Sequence, residues 1–221
     1  MEERFKRNIG PITAEEQLML NRSAILIAGC GGIGGYLAEY LARAGVGRIT
    51  CVDRDVFDRT NLNRQLLATE ATIGKPKAQA AAQRIKQIWP ECDAAGIKAE
   101  LNAESLPSLI AGADLALNAL DNTASRLALA KACDEARITL CHGAVSGWKA
   151  QAALARPGGG LYGKLYTDAG TAFIGGVTAF TAAAAAALQG ALAVRFLCGR
   201  PEEALIVLDM ETMSMDRITL D

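Results

Sequence analysis

The 221-residue chain has no C-x-x-C pair, so the usual spacing of zinc-binding cysteines is missing and no zinc is expected. Six cysteines are scattered at 30, 51, 92, 133, 141 and 198. Cys51 and Cys141 fall in apolar, strand-like runs and Cys133 in a helix-like run, which reads as buried, reduced thiols. No run of Lys or Arg stands out and the formal net charge is −1. A large phosphate-backbone footprint is not advertised, so a dedicated nucleic-acid binder is not expected. The N-terminal Met-Glu-Glu-Arg-Phe-Lys-Arg is charged and lacks an apolar core, so it is no secretory signal. With reduced thiols, this points to the cytoplasm. Internal repeats and low-complexity linkers are also absent. Charge is missing altogether from Gly170 to Val194, but ten alanines fill that stretch and alanine gives little transfer free energy. Phe173, Val177, Phe180, Leu188 and Leu192 are too sparse for a convincing span, so a buried or subunit-interface helix is expected there, and no membrane association.

What is present suits a soluble globular chain. Hydrophobic residues make up 51% and charged residues 21%, enough for a sizeable core in one domain. Ala24–Gly29, Arg48–Asp53, Asp93–Ala99, Leu115–Ala119 and Thr139–Ala144 read as strands. Between them, helical spacing runs over Gly32–Ala44, from Pro76 to about Trp89, over Ser105–Ala111 and over Thr123–Ala136. Pro76 suits the first position of its helix. Gln151–Ala155 reads as a sixth strand and Arg156–Gly170 as a Gly-rich loop. The Ala-rich helix follows, then Ala204–Asp209 and Ser214–Thr219 as a terminal hairpin. Strands alternating with helices imply an α/β class: a Rossmann-like, doubly wound, mostly parallel sheet with a C-terminal Ala-rich helix and a strand hairpin. The expected organisation is an N-terminal helical arm (1–22), a nucleotide-binding core (23–145) and a segment of crossover loop, long helix and terminal strands (146–221).

Gly29-Cys30-Gly31-Gly32-Ile33-Gly34 fits G-x-G-x-x-G between a strand and a helix, the context the motif requires. Glycines let the backbone turn tightly and approach a phosphate, and the helix N-terminus offers free N–H groups to an anion. Asp53 closes the second strand nineteen residues after Gly34, where a carboxylate can accept hydrogen bonds from ribose hydroxyls. The loop alone does not choose the nucleotide.

A polar segment follows, from Asp53-Arg54-Asp55 to Asn61-Leu62-Asn63-Arg64-Gln65, and Lys77 comes thirteen residues after Arg64. Lys77 falls in the first turn of its helix, where a cation opposes the helix dipole by roughly 0.3–1 kcal/mol. An anionic ligand would remove that conflict; a solvated surface lysine is the plainer alternative. At the end of the fourth strand lie Asp121 and Asn122. A carboxylate there can hold magnesium against phosphates, or either residue can simply cap the next helix.

With these motifs the chain resembles the ThiF/MoeB/HesA group, bacterial relatives of ubiquitin-activating enzymes. The resemblance runs from about Arg4 to Leu220. It is carried by Arg4-Phe5-Lys6-Arg7, the glycine loop, Ala44-Gly45-Val46-Gly47, Asp53-Arg54-Asp55, Asn61-Leu62-Asn63-Arg64-Gln65, Gly74-Lys75-Pro76-Lys77-Ala78 and Asp121-Asn122. It implies an adenylyltransferase using ATP and magnesium on the C-terminal glycine of a small ubiquitin-like sulfur-carrier protein. The nucleotide site would comprise Gly29, Gly31, Gly32, Gly34, Asp53, Asp55, Asn61, Arg64, Gln65, Lys77, Asp121 and Asn122. Within it, Asp53 would bind ribose, Asn61, Arg64 and Lys77 the phosphates, and Asp121 the magnesium ion. Arg7 would reach the partner subunit's nucleotide in a homodimer.

The chain departs from this pattern in lacking zinc cysteines and in having no cysteine over Arg156–Thr171. Adenylation without a covalent thioester is therefore expected, with sulfur from a separate donor. The Gly158–Tyr166 stretch would guide the carrier's Gly-Gly tail, or serve only as a connector. His142 is read as structural. Competing readings are an NAD-dependent oxidoreductase, adenylation of a modified tRNA base and a non-catalytic carrier-binding module.

Overall fold

The computed structural model describes residues 2–166 and 176–219. The later part of the expected Arg156–Gly170 loop and the start of the uncharged segment lie outside the described residues. One eight-stranded sheet runs through the molecule in the order β3-β2-β1-β4-β5-β6-β7-β8. Its first five strands in sequence are β1 (Ala24–Ala28), β2 (Arg48–Val52), β3 (Asp93–Ile97), β4 (Leu115–Asn118) and β5 (Leu140–Ser146), and all pair in parallel. The remaining three, β6 (Lys149–Ala155), β7 (Leu205–Asp209) and β8 (Ser214–Ile218), extend the sheet antiparallel. The doubly wound architecture expected from the alternating pattern is thus present.

β5 and β6 are longer than their sequence patterns and meet in a tight hairpin at Gly147, whose φ of 55° is left-handed. The apolar runs end at Ala144 and begin again at Gln151. The hairpin's intervening residues are mixed and half exposed, so hydrophobicity alone does not mark them.

Helices cover both faces. On one side α2 (Gly34–Ala44), α3 (Lys77–Ile88) and α7 (Ala179–Leu197) enclose a core that includes Ile25, Ile27, Leu37, Leu41, Ala81, Ile85, Ala185 and Ala193. On the other, α4 (Leu106–Ile110), α5 (Thr123–Glu135) and the short α6 (Leu161–Leu165) enclose Leu26, Ala28, Leu106, Ile110, Leu129 and Tyr162. β1 lies in the middle with all five residues buried, as its unbroken apolar run requires. α7 is long and apolar enough to cross a membrane by length and composition. It packs on α2, β5 and β6, and its inward Ala182, Ala185, Ala186, Gln189 and Ala193 are buried. Its small side chains allow that close approach.

The N-terminal segment forms a short 3-10 turn over Glu3–Asn8 and then α1 (Ala14–Arg22), capped by a reciprocal Thr13–Glu16 box. The buried Phe5 ring meets Trp89 edge-on at 5.0 Å, and Asn8 donates to the carbonyl oxygens of Arg43 and Ala44. The arm is thereby fixed over the C-terminal end of α2.

Candidate active site

The strand order turns at β1, which has β2 on one side and β4 on the other. Ala28 is in register with Val52 and with Asn118, so three loops leave the sheet at one level. Open α/β sheets bind their ligands above such a switch point. The loop after β1 turns at Gly29, whose φ is +89°, and a Cβ there would lie 2.8 Å from the Ala119 carbonyl oxygen. Gly34 is needed for packing: a Cβ would fall 1.8 Å from the Gly29 carbonyl oxygen. The remaining glycines leave an open cradle. A Cβ on Gly31 would face Gln65 Nε2 at 3.4 Å, and one on Gly32 would meet Ala182 Cβ at 3.7 Å and Arg64 Cγ at 3.9 Å.

Asp53 fastens this loop to β2. Its Oδ2 accepts from the Cys30 backbone N–H at 2.7 Å and its Oδ1 from that of Asp55 at 2.8 Å. A carboxylate oxygen takes more than one hydrogen bond, so room is left for ribose hydroxyls.

The polar segment folds as a 3-10 turn over Arg59–Asn61, closed by reciprocal bonds between Asp58 and Asn61. Asn61 is buried and receives the backbone N–H groups of Arg64 and Gln65 on its carbonyl oxygen. Arg64 donates from Nη1 to the Thr60 carbonyl oxygen and to Asn63 Oδ1, both at 2.9 Å. Among the described residues it forms no salt bridge. Gln65 is buried beside Gly31, and its Oε1 has no partner among the described residues.

Lys77 is the first residue of α3, with Pro76 at the cap position, one place earlier than the proline pattern suggests. The lysine is only 7% exposed, so the solvated-surface alternative fails. Its backbone N–H donates to the Asp55 carbonyl oxygen at 3.0 Å, and its ammonium lies 3.5 Å from the half-exposed Asp55 carboxylate. The Asp58 carboxyl is held below its ordinary range first by Thr60's hydroxyl, then by Thr60's N–H and by the charges of Lys77 and Arg64.

After β4, the two acidic-corner residues divide their roles. Asn122 caps α5, its oxygen accepting from the Ser125 N–H at 2.8 Å. Asp121 precedes it and is exposed. Among the described residues no group of three or more His, Cys, Asp or Glu could hold a metal ion. Magnesium held at Asp121 would draw its other ligands from phosphate and water, as that ion commonly does.

Arg7 does not join this cluster within the chain. It is exposed in the N-terminal turn beside the C-terminal end of α2, whereas the glycine loop meets the helix's N-terminal end. Eleven helical residues separate the ends, or roughly 16 Å at 1.5 Å per residue.

Two features escape sequence reading. The start of α7 closes one side of the cradle, Ala182 lying against Gly32. Val177 bridges to Gly147 and accepts from Asn63 Nδ2 at 3.1 Å, tying the approach to α7 to the polar segment. The Ala182–Gly32 and Asn63–Val177 contacts join residues more than a hundred positions apart, and no local pattern records them. His142, read as structural, is wholly buried between Tyr162 OH and Gln151 Nε2, each at 3.2 Å. Burial, with a smaller push from Arg126, lowers its pKa to about 3. All six cysteines are buried and free; burial pushes the Cys133 thiol up to about 12 and that of Cys141 higher.

An open glycine cradle with Arg64 beside it, the buried Lys77 and the exposed Asp121 thus lie at the same end of the sheet. A family model described as the ThiF family matches residues 5–221. The chain belongs to the ThiF family. It is 32% identical over 169 residues to the SAMP-activating enzyme E1 of Haloferax volcanii, covering 76% of this chain and 63% of that protein. It is 40% identical over 128 residues to the molybdopterin-synthase adenylyltransferase of Escherichia coli, covering 58% and 51%. Over 130 residues it is 39% identical to the tRNA threonylcarbamoyladenosine dehydratase of Bacillus subtilis, covering 58% and 51%. The chain therefore spans between half and just under two-thirds of the length of these ThiF-family relatives. Its fold is shared by Escherichia coli MccB, solved with AMPCPP and MccA, at a TM-score of 0.82 and 22% identity, covering 99% of this chain and 71% of that one.

Proposed function

We propose that this ThiF-family chain is an adenylyltransferase that uses Mg-ATP to activate the C-terminal glycine of a small ubiquitin-like sulfur-carrier protein. The observation that carries this reading is the open glycine cradle above the switch point, with the Arg64 side chain beside Gly32. Lys77 opposes its own helix dipole and has the half-exposed Asp55 carboxylate as its salt-bridge partner among the described residues, and a triphosphate would add further negative charge there. The names of the relatives in Haloferax volcanii and Escherichia coli support the same chemistry.

In this mechanism the carrier's carboxylate oxygen attacks the α-phosphorus of ATP, the bond to the bridging oxygen breaks and pyrophosphate leaves. Two anions must meet, so the barrier is chiefly electrostatic. Arg64 and Lys77 offset charge developing on the phosphoryl oxygens, in positions fixed before the reaction. Asp53 orients the ribose, with Asp55 beside it. Asn61 and Gln65 line the phosphate side. Asp121 would hold magnesium, which supplies further charge neutralisation on the phosphates. Arg7 cannot reach its own cradle and serves the partner subunit's in a homodimer. The apolar outward face of α7, where Phe180 is exposed, supports such an interface. The buried thiols favour an acyl-adenylate released to a separate sulfur donor, in the cytoplasm, without a covalent thioester.

Carrier-dependent exchange of radiolabelled pyrophosphate into ATP tests the proposal, with candidate carriers ending in Gly-Gly supplied singly. One carrier should support exchange, and Arg64→Ala or Lys77→Ala should lower it by roughly 10²–10³-fold, as loss of a charge-stabilising donor does elsewhere. Exchange unchanged in both variants, or turnover of NADH in its place, would refute it. A second reading, adenylation of a modified tRNA base, is favoured by the 39% identity to the Bacillus subtilis relative. Exchange driven by tRNA and abolished by salt would select that reading.

A further inference from the structure

Arg126 is a buried cation with no anionic partner among the described residues. It lies in the first turns of α5 and is 8% exposed. Its Nη1 donates to the Gly143 carbonyl oxygen at 3.0 Å and to the Tyr166 hydroxyl at 3.3 Å. Among the described residues it forms no salt bridge. Two buried groups near it, His142 and Tyr162, are uncharged. His142 is neutral because burial, aided by Arg126's own charge, sets its pKa near 3, and burial keeps the Tyr162 hydroxyl protonated. Guanidinium groups this deep are normally paired with carboxylate, because neutral acceptors do not repay the lost hydration. A guanidinium has five donors in a fixed fork, of which Arg126 commits one nitrogen here.

Its position is not arbitrary. The Arg126 backbone N–H donates to the Asn122 carbonyl oxygen at 3.2 Å, placing it one turn behind the Asp121–Asn122 corner. Gly143, which holds its guanidinium, follows His142, and His142 is in register with Asn118 at the end of β4. The charge therefore sits at the same sheet edge as the nucleotide cradle, on the side away from Arg64 and Lys77. Tyr162 and Tyr166, stacked at 5.7 Å, wall it on the α6 side.

We propose that Arg126 is the binding residue for the reacting carboxylate of the acceptor, whose oxygens replace the Tyr166 hydroxyl on the guanidinium and approach the α-phosphate from the β5 side. This rests on the adenylation reading above and names the residue that selects a carboxylate for it. Arg64 and Lys77 would then serve the triphosphate, and Arg126 the incoming anion. Without such a group the second anion would be repelled by the first.

The test uses the full chain with magnesium and AMPCPP bound, titrated with N-acetylglycylglycine and with its C-terminal amide, by NMR chemical-shift perturbation. The wild type should prefer the acid over the amide by tenfold or more. Arg126→Gln should lose that preference while keeping its affinity for a fluorescent ATP analogue, and Arg126→Lys should retain part of it. Tyr166→Phe, which removes the competing hydroxyl and leaves the guanidinium, should bind the acid severalfold more tightly. This variant decides the matter if Arg126→Gln does not fold. Preserved discrimination in Arg126→Gln, or unchanged or weaker acid binding in Tyr166→Phe, overturns the inference. A wild type that binds the ATP analogue but does not distinguish acid from amide overturns it too. Failure to bind the ATP analogue at all would instead overturn the adenylation reading.

Discussion

His142 carries a stability cost at low pH that can be measured. Its pKa is about 3 in the folded chain, against an ordinary value near 6.5. Between those values the unfolded chain holds a proton that the folded chain refuses. Stability contributed by the neutral imidazole is therefore complete above about pH 6.5 and falls as the pH drops towards 3. The slope is about 1.4 kcal/mol per pH unit for one proton. His142→Gln, which retains hydrogen-bonding capacity, should flatten the urea-unfolding free energy over that range by about this slope; an unchanged slope would contradict the burial argument. At this scale the site was partly legible. Lys77 and Arg64 were identifiable from motif and helix position. The division between Asn122 as cap and Asp121 as the free carboxylate was not, because both residue types cap helices equally well. Arg126 was invisible because nothing in Ser125-Arg126-Leu127 says that the arginine points inward.

Elements depend on where backbones touch. α2 can lie against the end of β1 only because Gly34 has no side chain, a Cβ there falling 1.8 Å from the Gly29 carbonyl oxygen. Gly34→Ala should lower stability by about 3 kcal/mol or more, since the clash is with backbone rather than with a flexible side chain. Thermal unfolding and nucleotide affinity should both report the loss; a variant matching the wild type in both would mean that α2 can shift freely. The regular βα units of the first half follow from their periodicity and glycine stops. The second half was less legible at its joints. The β5–β6 turn lacks a strong turn signal, and α6 is a five-residue helix inside a Gly-rich stretch. Long-range contacts such as Ala182 on Gly32 arise only when the sheet has assembled.

For the whole molecule, the placement of Arg7 makes a strong demand. It lies at the far end of α2 from its own glycine loop, so its expected catalytic role requires a second subunit. Mixing inactive Arg7→Ala and Arg64→Ala chains should restore activity, because a mixed dimer holds one site with both residues intact. With random exchange, half of the dimers are mixed and each has one good site, giving roughly a quarter of wild-type activity under a simple two-site count. No restoration after demonstrated subunit exchange would place Arg7 outside the reaction. The most direct measurement is a crystal structure of the chain with AMPCPP and magnesium. The phosphates are expected between the Arg64 guanidinium and the Lys77 ammonium, with the metal ion on Asp121. Nucleotide bound away from that cradle, or these three side chains turned away from its phosphates, would contradict it.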